Sequence, residues 1–150
     1  MKIISTLEQH DLADAYQLEK LCHLIPWSEH TFNSNQGKHY INKKITVNNQ
    51  IVGFLICQIV LDEATLFNIA IHPQYRKQGL ATQLLQNLLD ELTTKNISTL
   101  WLEVRASNHP AIQLYQHLGF NEITTRKNYY PTKTAIREDA IIMAYPILLS

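Results

Sequence analysis

The sequence predicts a mixed α/β (α+β) domain: a central sheet of about seven strands with about four helices, the N-terminal strands antiparallel and the middle of the chain making one parallel crossover. Three observations predict it. From residue 40 to 71, runs rich in Ile and Val are broken by short polar turns, the pattern of an antiparallel meander. From residue 78 to 94, Ala81, Leu84, Leu85, Leu88 and Leu92 fall on one face at helical spacing. A new apolar run at 100–104 follows that helix, and strand, long helix, strand in direct succession requires a parallel connection.

Each element has its own local signal. A short strand at residues 2–5 leads to Asp11 and Asp14, which offer an N-cap and an acidic first turn for a helix ending near Cys22. Ser28 is the candidate N-cap of a second, short helix, with Trp27 and Phe32 at the two ends of a hydrophobic staple. Trp27 either packs there or meets substrate. Ile45-Thr46-Val47 and residues 51–56 flank Asn48-Asn49-Gln50 as a hairpin, and Asp62-Glu63 marks the turn before residues 64–71. After the strand at 100–104, Asn108 caps a helix that runs to Leu118 and is closed by Gly119, with Pro110 tolerated in its first turn. Residues 120–130 and 139–145 read as the last two strands.

Composition narrows the function classes. The 150 residues suit one domain, 1–150, able to bury a core without disulfides or a structural metal. At 45% apolar and 17% charged the chain has the balance of a folded protein, not a disordered one. Thirteen basic and thirteen acidic residues cancel, so no direct nucleic-acid contact is expected from bulk charge. Cys22 and Cys57 have no C-x-x-C partner and read as free thiols of a reducing compartment; with no signal peptide and no spanning run, a cytoplasmic protein without membrane attachment is expected. The seven histidines show no ligand spacing, so no metal is expected.

Chemistry enters at Arg76-Lys77-Gln78-Gly79-Leu80-Ala81, placed where the long helix begins. The first N–H groups of a helix have no intrahelical partner and lie at the positive end of its dipole, so this turn is suited to an anion. Gly79 and the small Ala81 admit a diphosphate close to the main chain, and Arg76 and Lys77 add charge at its rim. Two further residues stand out. Glu103 is a carboxylate at the end of an apolar strand, either facing solvent there or serving a ligand site at the carboxyl end of a parallel strand. Tyr115 shares a helix face with Ala111, Leu114 and Leu118, and its spacing from Phe120 fits a core contact across the helix end as well as a functional role.

The turn resembles the Q/R-x-x-G-x-G/A signature of the GNAT acetyltransferases, which bind the pyrophosphate of coenzyme A, and Asn108, Ala111 and Tyr115 fit that family's N-x-x-A-x-x-x-Y pattern. The resemblance implies a GNAT fold, acetyl-CoA as co-substrate, and coenzyme contacts from Ile69, Ala70, Ile71, Arg76, Lys77, Gln78, Gly79, Leu80, Ala81, Asn108 and Tyr115. Trp27-Ser28-Glu29, the run at 61–70, Leu100-Trp101-Leu102-Glu103-Val104-Arg105, Asn128-Tyr129-Tyr130-Pro131 and Glu138-Asp139-Ala140 resemble one subgroup, which acetylates the N-terminal alanine of a small-subunit ribosomal protein. That subgroup implies Glu103 as general base, directly or through water, and Tyr115 as general acid; about the acceptor peptide we expect Tyr129 and Tyr130, with Glu138 or Asp139 nearby, and Trp27 as a further candidate. It also implies a β-bulge whose N–H groups near Asn68 and Ile69 polarise the thioester carbonyl. The segment 132–137 departs from the pattern, lacking a Gly.

An α-amine of reference pKa about 7.7–8.0 is easier to deprotonate than a lysine at about 10.4, by roughly 3.5 kcal/mol near neutral pH. A tyrosine at about 10 donates to a thiolate whose acid lies near 8.5 at an uphill cost of only about 2 kcal/mol. Direct attack without an acetyl-enzyme is expected, both cysteines being placed far from the phosphate turn by the strand order. The competing readings are a lysine side chain or small amine as acceptor, and a non-catalytic acyl-CoA-binding module.

Overall fold

The computed structural model describes residues 1–147. Seven strands, β1 (Lys2–Thr6), β2 (Lys43–Val47), β3 (Gln50–Val60), β4 (Glu63–Ile71), β5 (Thr99–Arg105), β6 (Asn121–Tyr130) and β7 (Glu138–Pro146), form one sheet in the order β1-β2-β3-β4-β5-β7-β6. Every neighbouring pair is antiparallel except β4 and β5, which are parallel. The helix that makes the crossover between them, α3 (Leu80–Thr94), buries Leu80, Leu84, Leu85, Leu88, Leu89 and Leu92 against one face of the sheet. With α4 (His109–Leu118) it covers the larger core, while α1 (Leu12–Cys22) and α2 (Glu29–Ser34) cover a second core around Leu18, Phe32, Phe54 and Ile56 on the other face.

The local signals act as expected at most joints. Ser28 Oγ accepts from Thr31 N–H at 3.1 Å, and the Trp27 and Phe32 rings meet edge to face at 6.4 Å. Asn48 and Asn49, at φ 51° and 68°, make the two-residue hairpin turn whose twist suits the flanking strands. Gly119 at φ 116° closes α4; its N–H donates to Gln116 O and the Phe120 N–H to Tyr115 O at 2.9 Å, with the Tyr115 and Phe120 rings 5.6 Å apart. Two boundaries differ from the sequence reading. Asp11 does not cap α1 with its side chain: it closes a capping box over a preceding turn, accepting from Glu8 N–H at 2.8 Å, and binds Lys44 at 2.7 Å. The long helix starts at Leu80 instead of residue 78, because Lys77 and Gly79 both take left-handed conformations, φ 62° and 78°.

One irregularity shapes the site. Ile56 of β3 pairs with Asn68 and the next residue, Cys57, pairs with Leu66, so Phe67 is an extra residue on β4. Such a bulge reverses the phase of the strand. Ala64 and Leu66 point into the α3 core before it, Ile69 and Ile71 after it, and Asn68 and Ala70 turn to the α1 face.

Candidate active site

At the bulge the sheet divides. β4 pairs with β5 only over four residues, from Glu63 opposite Thr99 to Leu66 opposite Leu102. Beyond Leu66, β4 keeps β3 on one side and β5 follows β7, so a wedge opens between the two parallel strands. Glu103 is the first residue of β5 past the last pair. It alternates with Leu102 and Val104, which face the α3 core, and therefore projects to the opposite face.

Two cavities flank the wedge. The first, about 300 Å³, is lined by Ile71, Tyr75, Arg76, Lys77, Gly79, Leu80, Ala81 and Thr82 together with Pro110 and Leu114 of α4. Its wall is the start of α3, where the first intrahelical bond is Gln83 N–H to Gly79 O, leaving the preceding N–H groups without helical partners. Gly79 offers no side chain to cap them, and a Cβ built there meets nothing within 4 Å. Open space over exposed amides at a positive helix end fits a diphosphate. Arg76 is fixed at the rim, its Nε donating to Ile71 O at 3.0 Å.

The second cavity, about 340 Å³, lies on the α2 side and is lined by Trp27, Thr31, Asn35, Thr65, Leu66, Phe67, Glu103, Tyr129 and Tyr130. Among the described residues, Glu103 Oε2 is the buried side-chain oxygen that has no hydrogen-bond partner. A buried acceptor left unpaired is costly, and here it faces a space able to hold a donor. Burial, then the Glu103 carboxylate, raises the Tyr129 and Tyr130 phenols above the ordinary range. The Arg105 guanidinium lies over the Tyr130 ring at 4.6 Å.

These observations agree with comparison to known proteins. Residues 8–120 match the model of the Acetyltransferase (GNAT) family. This chain belongs to the GNAT acetyltransferases. It is an acetyl-CoA-dependent N-acetyltransferase. Among its GNAT relatives, the [Ribosomal protein bS18]-alanine N-acetyltransferase of Escherichia coli is 59% identical over 98% of this chain and 99% of its own length. The enzyme of that name in Haemophilus influenzae is 52% identical over 96% and 98%. The crystal structure of the Escherichia coli ribosomal-protein-S18-alanine N-acetyltransferase superposes with a TM-score of 0.96 at 57% identity, covering 100% of this chain and 96% of that one.

Within this GNAT frame the expected residues separate into groups. Ile71, Arg76, Lys77, Gly79, Leu80 and Ala81 line the first cavity, Ile69 and Ala70 precede it on the free edge of β4, and Gln78 lies in the turn. Asn108 caps α4, its Oδ1 accepting from Ala111 N–H at 3.3 Å. Tyr115 lines neither cavity: it is 6% exposed, in the core that also holds Leu100, Leu102 and Val104, on the face of β5 opposite Glu103. Burial pushes its phenol up to about 12. Trp27, Tyr129 and Tyr130 line the second cavity, whereas Glu138 and Asp139 do not. Glu138 accepts from Arg105 at 3.1 Å and Ser107 N–H at 2.9 Å, and Asp139 from Asn128 N–H at 2.9 Å.

The sequence reading also misplaced one cysteine. Cys22 is not remote from the phosphate turn; α1 packs on β4 and brings its Sγ to 3.3 Å from Ile71 O, beside Arg76. Burial outweighs Arg76 and raises that thiol, while Cys57 is buried and pushed up to about 12. Thr31 and Asn35 line the second cavity without having been expected there, since the short polar helix carries no motif of its own, and the bulge that the resemblance implies near Asn68 and Ile69 falls at Phe67. No group of His, Cys, Asp and Glu among the described residues could hold a metal ion, and no described helix is long and apolar enough to cross a membrane.

Proposed function

We propose that this domain, 1–150, is a cytoplasmic enzyme that moves acetyl from acetyl-CoA to the α-amine of the N-terminal alanine of a small-subunit ribosomal protein. The observation that carries the reading is the unpartnered Glu103 oxygen, set at the mouth of the wedge inside the second cavity. The names of the relatives, 52–59% identical along nearly their whole length, support this acceptor.

Acetyl-CoA supplies an activated thioester, and the first cavity suits its diphosphate: the N–H groups at the start of α3 hold it, with Arg76 and Lys77 at the rim. The acceptor peptide enters the second cavity between Trp27, Tyr129 and Tyr130. Glu103 removes the proton from the amine, directly or through one water, and the neutral amine attacks the thioester carbonyl. The main-chain N–H groups near Asn68 and Ile69, on the unpaired edge of β4, polarise that carbonyl. Tyr115 returns a proton to the departing sulfur from the other side of β5. From about 12 to the thiol reference of 8.5 that transfer is uphill by about 5 kcal/mol, well within the ~16 kcal/mol barrier that roughly ten turnovers per second represents. No acetyl-enzyme forms, since both thiols are raised by burial and lack the thiolate character a nucleophile needs.

A small polyamine would favour a cavity with several carboxylates, and the second cavity holds Glu103 alone among aromatic, apolar and neutral polar residues. The test is acetyl-CoA turnover with a short peptide bearing a free N-terminal alanine against the same peptide with that amine blocked and a lysine retained. Turnover of the first alone supports the reading, and equal turnover of both overturns it.

A further inference from the structure

The α1 face of the sheet carries a charged group that the chemistry above does not use. Glu19 is 1% exposed, and a carboxylate so far withdrawn from water is tolerated only when donors surround it. Its Oε1 accepts from Asn68 Nδ2 at 2.7 Å, and its Oε2 accepts from the Trp27 main-chain N–H at 2.9 Å. One helical turn on, His23 Nε2 lies 3.4 Å from the same Oε1 and 2.9 Å from Asn68 Oδ1. One side chain thus ties together α1, the loop that enters α2, and the residue that follows the bulge.

Packing alone does not call for this arrangement. Apolar side chains of similar volume commonly replace buried charges without loss of stability, because the desolvation cost vanishes with the charge. What they cannot supply is direction. The carboxylate fixes the Trp27 main chain at one oxygen and the Asn68 amide at the other, so the wall of the second cavity and the free edge of β4 are held in one register. Asn68 faces α1 because Phe67, bulged out of the pairing, takes no turn in the alternation that follows Leu66.

We propose that Glu19 is a positioning residue for acetyl transfer, locking the acceptor wall at Trp27 to the bulge at Asn68 so that amine and thioester carbonyl meet in line. The inference rests on the acceptor cavity assigned above. The coenzyme cavity shares none of these residues, so the effect of losing Glu19 falls on the acceptor side and on turnover, not on coenzyme affinity.

The test compares wild type, Glu19→Ala and Glu19→Gln in steady-state kinetics with the free-alanine peptide, and in calorimetric binding of acetyl-CoA without peptide. For Glu19→Ala, peptide KM rises and kcat falls, each by about tenfold or more, as expected when reacting groups are misplaced by a fraction of an ångström to an ångström. Acetyl-CoA Kd stays within about twofold. Glu19→Gln still accepts from Trp27 N–H, and the Asn68 amide can turn to match it, so most of the activity returns. Unchanged peptide kinetics in Glu19→Ala overturn the proposal, as does a parallel loss of acetyl-CoA affinity, which a merely loosened fold would give. If Glu19→Ala fails to fold, Asn68→Ser removes the amide end of the same contact and must show the same split. Failure of wild type to use the peptide sinks the acceptor reading instead; the variants are then compared on the amine that is turned over, where that split is again required.

Discussion

Leu66 and Asn68 stand two apart on one strand and point to opposite faces of the sheet: Leu66 enters the α3 core, and Asn68 reaches Glu19 under α1. In a regular strand residues at that spacing share a face, and the difference is the one extra residue, Phe67. The count of residues matters here more than the ring. Deleting Phe67 sets Asn68 directly after Leu66, so plain alternation still carries its amide to Glu19 and the urea midpoint stays near wild type. In the same deletion kcat falls by about tenfold or more, because the bulge no longer sets the N–H groups near Asn68. Phe67→Ala keeps the phase and removes a side chain that is 41% exposed, so its urea midpoint stays near wild type. Equal kcat for deletion and substitution would show that the bulge has no part in the site.

Glu103→Gln separates activity from stability. If Glu103 is the base, the substitution lowers kcat by roughly 10²–10⁴-fold, while acetyl-CoA affinity stays the same because the first cavity does not include residue 103. The buried, unpartnered oxygen is a feature kept against the interest of the fold, so the amide variant should unfold at an equal or higher urea concentration. A variant that is both fully active and less stable would assign Glu103 a structural part only.

The fold and half of the site were legible because both rest on local signals. Period changes, Ser28, Asn108 and Gly119 each act within a few residues, and the phosphate turn is a local motif at a helix start. What failed to show in the sequence depends on pairing across the sheet. The phase reversal at Phe67, the opposite faces of Glu103 and Tyr115, and the approach of Cys22 to Ile71 are set by register and by which helix lies on which face. Glu138 and Asp139 illustrate the same limit: their residue types fit an amine site, yet their partners Ser107, Arg105 and Asn128 are fixed by the β5, β6 and β7 alignment.

Tyr115 gives a prediction in pH. Its folded value of about 12 lies above the ordinary phenol value of about 10, so burial favours the neutral form. The sign follows: its share of stability is complete below pH 10 and is lost as pH rises through 12. Tyr115→Phe has no proton to lose. Between pH 9 and 11.5 the unfolding free energy of wild type should therefore fall relative to the variant by about 2 kcal/mol, measured by urea titration at each pH. A constant difference would mean that the phenol titrates alike in both states. In kinetics the same variant should lower kcat with little change in peptide KM, the mark of an interaction made at the transition state.

Gly79 is required for two separate reasons, and Gly79→Ala tests both. Its φ of 78° is costly for any residue with a Cβ, by roughly 1–2 kcal/mol, and that cost appears in stability whether or not ligand is present. The added methyl group itself touches nothing within 4 Å, so in the free protein there is no clash to add. The space it enters is the space over the first amides of α3. If a diphosphate occupies that space, acetyl-CoA Kd should rise about tenfold or more, beyond the modest stability loss, with kcat at saturating coenzyme nearly kept. Isothermal titration with acetyl-CoA and with a pantetheine thioester lacking the diphosphate distinguishes the cause: the methyl group should weaken the first and leave the second unchanged. Equal weakening of both would place the defect in the bent entry to α3 and not in the anion site.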